Sequence, residues 1–153
     1  MNDKVKTLKE VSEELFGLML VKAEISVEYN EADKVFVINV EAGDTTGLLI
    51  GKRGDTLLSI QNVLSLLFKQ KTGDWEKIVV NVGDYRQKEE EYLKNLATSA
   101  AQRAIETNSS QNLYNLKPWQ RRVIHMFLTE NKDVTTTSEG EGEERYLIIS
   151  PKK

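Results

Sequence analysis

Two short clusters in the sequence carry the residue types best suited to holding a phosphate group. The first is Gly51-Lys52-Arg53-Gly54, in which two cations stand between two glycines. Glycine permits positive φ angles and lets a ligand approach the main chain closely. Together with backbone amides at the start of a following helix, the two cations would suit a phosphate. On its own a GxxG string is most often only a turn, so its surroundings decide its meaning.

The second cluster is Arg121 and His125, which are four positions apart on a predicted helix. This spacing puts both side chains on one helix face, with Cβ atoms about 5–6 Å apart. A guanidinium beside an imidazole suits an oxyanion. Lys117 and Arg122 add to the positive charge, and the segment 108–129 contains no acid. Without further context, such a pair is most often a solvated helix face.

The composition argues against several kinds of active site. The 153 residues include no cysteine and one histidine, which excludes a thiolate metal site and a cysteine nucleophile. A zinc site would depend on carboxylates and His125 alone, and a Ser-His-Asp triad would have one possible base. A P-loop is disfavoured because Gly51 follows Gly47 one residue too early, and Arg53 stands where Ser or Thr should ligate magnesium. We therefore expect no catalytic residue, no metal and no cofactor.

Charge and hydropathy favour a soluble protein that can still meet a polyanion. The chain is 39% hydrophobic and 29% charged, which is typical of globular proteins. Its net charge is −3, but four acids are concentrated between Glu139 and Glu144. Local potential decides where a phosphate binds, so the net charge does not exclude nucleic acid. No run approaches the ~20 apolar residues of a membrane span, and no apolar signal core follows the N-terminus, so we expect a cytoplasmic protein with no membrane partner.

The spacing of apolar residues predicts an α+β organisation that presents both clusters. Gly83-Asp84 is the expected domain boundary, which gives domains 1–83 and 84–153. The first domain is predicted to fold as helix, strand, strand, helix, strand over 3–20, 23–29, 35–40, 55–71 and 77–82. A short helical turn and the glycine loop precede the second long helix, with Asp55 as its N-cap. The second is predicted to contain a long helix with an inner stripe from Tyr92 to Ile105, a short strand within 111–116, a helix from Pro118 to about 129, and a hairpin of 134–137 and 145–149.

The first half of the chain resembles a bacterial-type (type II) KH domain. The resemblance rests on the order of elements around Ile50-Gly51-Lys52-Arg53-Gly54 and on the flanking segments 47–50 and 56–61. In KH domains the GxxG loop clamps a single-stranded backbone of about four nucleotides. The resemblance implies that Lys52 and Arg53 meet phosphates and that Ile50 and Leu57 line the floor under the bases. Ordinary core packing is the alternative for Ile50 and Leu57.

The segment Lys117–His125 resembles the signature of the R-three-H family of small α/β domains, which is named for its Arg-x-x-x-His motif. The closing hairpin, with Thr137–Gly140, Arg145 and Ile148–Pro151, is also similar. The resemblance implies that Arg121 and His125 bind single-stranded nucleic acid, helped by Lys117, Arg122 and Arg145. Arg122 ranks below Arg121 because a structural role is expected for it. Gln120 stands where relatives usually carry Glu, which makes the patch more positive and removes an acid that would orient one of the arginines.

A KH unit followed directly by an R-three-H unit resembles the bacterial Jag family over nearly the whole chain. Many members carry an extra N-terminal domain and linker, which we expect this chain to lack, together with any membrane association of that segment. The resemblance implies a protein that binds single-stranded RNA without catalysis. It further implies an RNA chaperone or post-transcriptional regulator that influences cell growth and shape, with a small single-KH protein as a partner.

Three other functions stay open at this point. A module that binds single-stranded DNA would use the same two patches, and only the 2′-hydroxyl distinguishes RNA from it. A nuclease using His125 would need a second acid–base group or a carboxylate metal cluster, and the basic helix supplies no acid. A protein adaptor would turn both patches toward a protein partner.

Overall fold

The computed structural model describes residues 1–153, which form two compact units, Met1–Arg86 and Gln87–Lys153. The boundary between the two units along the chain falls in the first turn of a helix that begins at Tyr85. The expected boundary at Gly83-Asp84 lies just before that helix. None of the helices is long and apolar enough to cross a bilayer.

The first unit is a three-stranded sheet with helices, and it carries the glycine loop. The helices and strands are α1 (Asn2–Leu18), β1 (Glu24–Asn30), β2 (Val35–Glu41), α2 (Thr46–Ile50), α3 (Asp55–Thr72) and β3 (Ile78–Val82). The strand order is β1-β2-β3. β1 runs antiparallel to β2, with Val27 opposite Ile38, and β2 runs parallel to β3, with Ile38 opposite Val80. The predicted sequence of elements is confirmed, including the short helical turn before the glycine loop, which is α2.

The core of the first unit forms where alternate strand residues meet the apolar stripes of α1 and α3. Phe36 lies at its centre, and its ring centroid is 4.7 Å from that of Tyr29 and 5.7 Å from that of Phe68. Further fully or nearly fully buried residues come from α1, α3, β2 and β3: Leu8, Val11, Phe16, Ile38, Val40, Ile60, Leu64, Ile78, Val80 and Val82. Packing against α1 and the sheet therefore fixes the position of α3. Because the glycine loop leads directly into α3, its position is fixed as well.

An ion-pair cluster joins the start of α1 to the segment before β3. The Lys4 ammonium lies 2.9 Å from the Asp74 carboxylate and 2.6 Å from that of Glu76. The hydrogen bond to Glu76, followed by that to Asp74, raises the pKa of Lys4 above its ordinary value. The cluster ties together two segments that are distant in sequence.

The second unit packs one long and one short helix against a three-stranded antiparallel sheet. Its elements are α4 (Tyr85–Thr107), which begins in the first unit, β4 (Gln111–Leu113), α5 (Pro118–Leu128), β5 (Val134–Glu139) and β6 (Tyr146–Pro151). The strand order is β4-β6-β5, so the last strand lies in the middle. The predicted strand at 111–116 is shorter than expected, because Asn115 takes a positive φ of 57° that ends the extended backbone.

Small side chains on α4 allow its close packing against the rest of the second unit. The buried residues of α4 are Leu93, Ala97, Ala100, Ala101 and Ala104, and they pack with Ile124, Leu128, Leu147 and Ile149. The predicted inner stripe was wrong at two positions, since Tyr92 is 59% exposed and Ile105 is 46% exposed. Both lie at the margin of the stripe, where the packed alanines leave no room for a large side chain on the inner side.

Candidate nucleic-acid interface

The glycine loop is a tight turn that separates α2 from α3. Gly51 has φ 69° and ψ −169°, and Gly54 has φ 74° and ψ 15°. Arg53 is left-handed as well, with φ 53° and ψ 30°. A left-handed conformation costs an ordinary side chain about 1–2 kcal/mol. The turn therefore stores strain at Arg53, at the point where the loop protrudes.

Space as well as conformation requires glycine at both ends of the loop. A Cβ atom on Gly51 would lie 2.1 Å from Oγ1 of Thr56, in the first turn of α3. A Cβ atom on Gly54 would lie 2.9 Å from the Tyr85 hydroxyl oxygen. Tyr85 was not singled out from the sequence, because only the fold brings it to the loop. The loop is held between α3 and Tyr85 with no room for side chains at its ends.

The start of α3 differs from the expectation in one detail. The predicted N-cap, Asp55, is the first residue of the helix, and Gly54 takes the N-cap position in a left-handed conformation. No side chain caps this helix end by a hydrogen bond. The prediction failed because the turn of the GxxG loop runs directly into α3, which leaves no extended residue in which a capping side chain could be placed.

The two cations at the loop tip are exposed. Neither the Lys52 ammonium nor the Arg53 guanidinium makes a hydrogen bond or ion pair within the chain. Both are thus free to meet a ligand. An ammonium acts as a compact point charge, whereas a guanidinium can bind two oxygens of one phosphate.

The expected floor beside the loop is partly core. Ile50 and Leu57 are half-buried and pack against the core of the first unit, so each has one side in the core and one toward solvent. Two neighbouring leucines, missed in the sequence analysis, are more exposed: Leu48 at 70% and Leu58 at 41%. Apolar surface of this kind beside a cationic loop suits unpaired bases, which stack on apolar groups.

In the second unit, Arg121 is buried, contrary to its expected role as a phosphate ligand. Only 9% of the residue is exposed. Its Nη1 donates hydrogen bonds to the carbonyl oxygens of Leu116, at 2.6 Å, and Arg145, at 3.3 Å. The guanidinium thus ties the segment before α5 to the start of β6. Arg122, which the sequence analysis ranks below Arg121, is the exposed one of the two arginines.

The accessible face of α5 presents Arg122 and His125, which are three positions apart and therefore neighbours on the helix surface. The Nδ1 of His125 is hydrogen-bonded to the hydroxyl of Thr136 on β5, which fixes the ring. Lys117 is half-buried at the start of α5, and Arg145 is exposed at the start of β6. We call the four residues Lys117, Arg122, His125 and Arg145 the basic patch of the second unit.

Gln120 holds the N-terminal end of α5 in place rather than orienting an arginine. Its side-chain oxygen accepts a hydrogen bond from the Lys117 amide at 2.8 Å, and its side-chain nitrogen donates to the Glu89 carboxylate at 2.8 Å. Gln120 is 6% exposed. A glutamate here would place a second carboxylate against Glu89, so the amide matches its surroundings.

The acidic side chains of the hairpin loop are not arranged as a metal site. Glu139, Glu141, Glu143 and Glu144 are exposed, and no group of three acidic or histidine side chains is arranged to hold a metal ion. Tyr146 donates a hydrogen bond from its hydroxyl to Glu139. Desolvation, followed by this hydrogen bond, raises the pKa of Tyr146.

Comparisons with known proteins agree with the two-unit organisation. The family described as KhpA/KhpB, KH domain matches residues 9–82, and the R-three-H domain family matches residues 91–151. A protein named RNA-binding protein KhpB from Clostridium symbiosum is 39% identical over 144 residues, which is 94% of this chain and 64% of that protein. Its namesake from Bacillus subtilis is 32% identical over 148 residues, which is 95% of this chain and 68% of that protein.

The matches run through both units without changing their order. The chain spans about two thirds of the length of these two relatives. A third protein of the same name, from Lactiplantibacillus plantarum, is 35% identical over 112 residues, covering 72% of this chain and 35% of that protein. With a KH domain followed by an R-three-H domain, and with relatives that align over almost its whole length, the chain belongs to the KhpB (Jag) family.

Proposed function

We propose that this protein binds single-stranded RNA and does not cut it. The observation that carries the proposal is the glycine loop, where two exposed cations stand between two glycines that cannot accept a side chain. Such a loop lets a phosphodiester backbone approach the main chain and meet positive charge at the same time. The name of the relatives, RNA-binding protein KhpB, agrees with this chemistry.

The basic patch of the second unit supplies further phosphate contacts in this proposal. Arg122 offers an exposed guanidinium, and the imidazole of His125 adds a second polar group on the same helix face. Arg121 serves as a positioning residue, because its guanidinium fixes the backbone at Arg145. Phosphate contacts of this kind give affinity without sequence selectivity. Selectivity would come from bases lying on the apolar surface beside the glycine loop.

Two further expectations stay predictions. One is that RNA binding serves a chaperone or post-transcriptional role that influences cell growth and shape. The other is that a small single-KH protein pairs with this chain. Both concern the cell rather than the geometry of the site, and RNA binding is the step that each of them requires.

The test compares the affinity of a labelled single-stranded RNA for the intact protein and for the Lys52→Asp/Arg53→Asp variant. We expect binding at least about tenfold weaker, which corresponds to ~1.4 kcal/mol. The matched control is Lys34→Asp/Lys132→Asp, which changes the net charge equally at two exposed turns. Lys34 has φ 52°, close to the φ of Arg53, so the control reproduces the backbone effect of aspartate as well.

Each result of this comparison has a defined meaning. Equal affinity of the loop variant and the control would remove the glycine loop from the site. A DNA strand of the same sequence that binds as tightly as the RNA would favour the single-stranded DNA module instead. Shortening of the labelled RNA during incubation with magnesium would support a nuclease instead.

A further inference from the structure

The outward face of α5 carries a stripe that the proposed function does not fully use. Arg122, Met126 and Glu130 follow one another at intervals of four residues. Glu130 comes just after the helix, and Thr129 before it keeps helical angles, with φ −57° and ψ −38°, so the stripe continues in the helical direction. Met126 is 62% exposed and the adjacent Phe127 is 43% exposed. Neither Arg122 nor Glu130 has an ion-pair partner within the chain.

An apolar groove lies beside this stripe, between α4 and α5. Its volume is about 500 Å³, and Ala101, Ile105, Phe127 and Leu128 contribute its apolar lining. Glu130 is among the residues that line it, and no basic residue does so. Phe127 is two residues beyond His125, which turns it by about 200° around the helix. The groove therefore lies on the flank of α5 away from His125.

The charges on the stripe are complementary to those of an identical stripe that runs in the opposite direction. Arg122 lies four residues before Met126, and Glu130 lies four residues after it. When two such helices run antiparallel with Met126 at the centre, each Arg122 faces Glu130 of the partner copy. The two Met126 side chains meet at the two-fold axis, with each Phe127 beside them. This is the arrangement that an isologous contact requires, because every contact occurs twice.

We propose that a second copy of this chain binds here, through an antiparallel pair of α5 helices centred on Met126. A nucleic acid is disfavoured on this face, because the acidic side chains of Glu106 and Glu130 line the groove. A basic peptide would satisfy those two acids but would meet Arg122 at the other end of the stripe. Only a partner with both signs of charge, in reversed order, satisfies the whole stripe.

The expected dimer is weak and depends on protein concentration. A stable interface buries about 800 Å² on each partner. Here each copy offers two large exposed apolar side chains and the margin of a groove, so the contact buries less surface than such a stable interface. Since Arg122 also belongs to the basic patch, the self-association is measured without RNA, so its outcome is independent of the proposed function.

The absence of native cysteine allows a direct test of the two-fold axis. In the Met126→Cys variant the two thiols would face each other, and the oxidant diamide would remove two electrons and two protons to form one disulfide between copies. The matched control is Tyr92→Cys, an equally exposed position of the same unit on α4. We expect the disulfide at position 126 to form at least about tenfold faster, because the contact raises the effective concentration of the thiols. Equal rates for the two variants would overturn the proposal.

Charge exchange tests the register independently of any thiol. Arg122→Glu alone faces the partner's Glu130 with a like charge, and Glu130→Arg alone does the same with Arg122. In sedimentation equilibrium each single variant should weaken the dimer at least about tenfold, and the double variant should restore it. Unchanged melting temperatures would show that the variants fold. A monomer at every concentration of the unmodified chain, or a double variant no better than the singles, refutes the antiparallel pairing.

Discussion

Two neutral substitutions in the glycine loop should reduce the salt dependence of RNA binding by an amount that can be calculated. The substitutions are Lys52→Gln and Arg53→Asn, which remove both charges and introduce none. Asparagine is chosen because Arg53 has φ 53°, and asparagine tolerates the left-handed region better than most residues. The folded loop should therefore keep its shape, and the free energy of unfolding should stay the same or rise slightly.

The magnitude follows from counting phosphates. Each phosphate of a single strand that a protein neutralises contributes about 0.7 to the slope of log K against log salt. If the loop and the basic patch together neutralise about four phosphates, the slope for the intact protein is near −3. Removing the two loop contacts should flatten it by about 1.4, so that roughly half of the salt dependence remains.

The assay is a fluorescence-anisotropy titration of a short labelled RNA, repeated between about 50 and 200 mM salt. The matched control carries Lys34→Asn and Lys132→Gln, which remove two exposed positive charges from turns outside the proposed interface. Its slope should equal that of the intact protein. A loop variant with an unchanged slope would refute the argument even if its affinity were lower, because the loss would then come from something other than phosphate contacts.

Three further predictions concern the second unit. Arg121→Met should lower the free energy of unfolding by about 2 kcal/mol in a urea titration, since the carbonyls of Leu116 and Arg145 lose a charged donor. Gln120→Glu should lower the melting temperature by placing a carboxylate against Glu89, and adding Glu89→Gln should recover most of the loss. His125→Ala should weaken RNA binding modestly in the same anisotropy titration, because the exposed face of α5 loses a hydrogen-bonding group.

Each of these predictions has an outcome that would contradict it. Normal stability of Arg121→Met with a large loss of RNA affinity would make Arg121 a direct ligand after all. A double variant as unstable as Gln120→Glu alone would show that Glu89 is not the group that opposes the new charge. Unchanged RNA affinity of His125→Ala would remove His125 from the proposed interface.

Much of the fold follows from local patterns. In β2 the alternation of side chains places Phe36, Ile38 and Val40 on one face, and the structure buries all three. The helix at 55–71 follows from apolar residues at three- and four-residue steps. These predictions succeed because burial of one face is encoded within a single element. The capping of α3 could not be predicted in the same way, because the left-handed Gly54 reflects the closure of the loop and not a preference of Asp55.

The candidate site was harder to predict than the elements that hold it. The spacing of Arg121 and His125 indicates a shared face of α5 but not which neighbour turns toward the sheet. The answer depends on the carbonyl of Arg145, a residue that is distant in sequence and lies just before β6. Tyr85 escaped attention for the same reason, since its contact with Gly54 exists only in the folded unit. Whether a charged side chain is bonded within the unit or exposed can therefore be predicted only when its partners in the fold are known.

The burial of Arg121 changes what the Arg-x-x-x-His signature can be used for. One of its two named residues donates to two main-chain carbonyls of the second unit, so stability alone is a reason to keep that arginine, whatever the chain binds. The exposed positions Arg122 and Arg145 make no such contact with their side chains and can change while the signature stays intact. Under the proposed function, a duplicated gene could thus lose its affinity for polyanions and still be recognised by the same pattern. The charges flanking the motif would then distinguish the products that bind from those that do not.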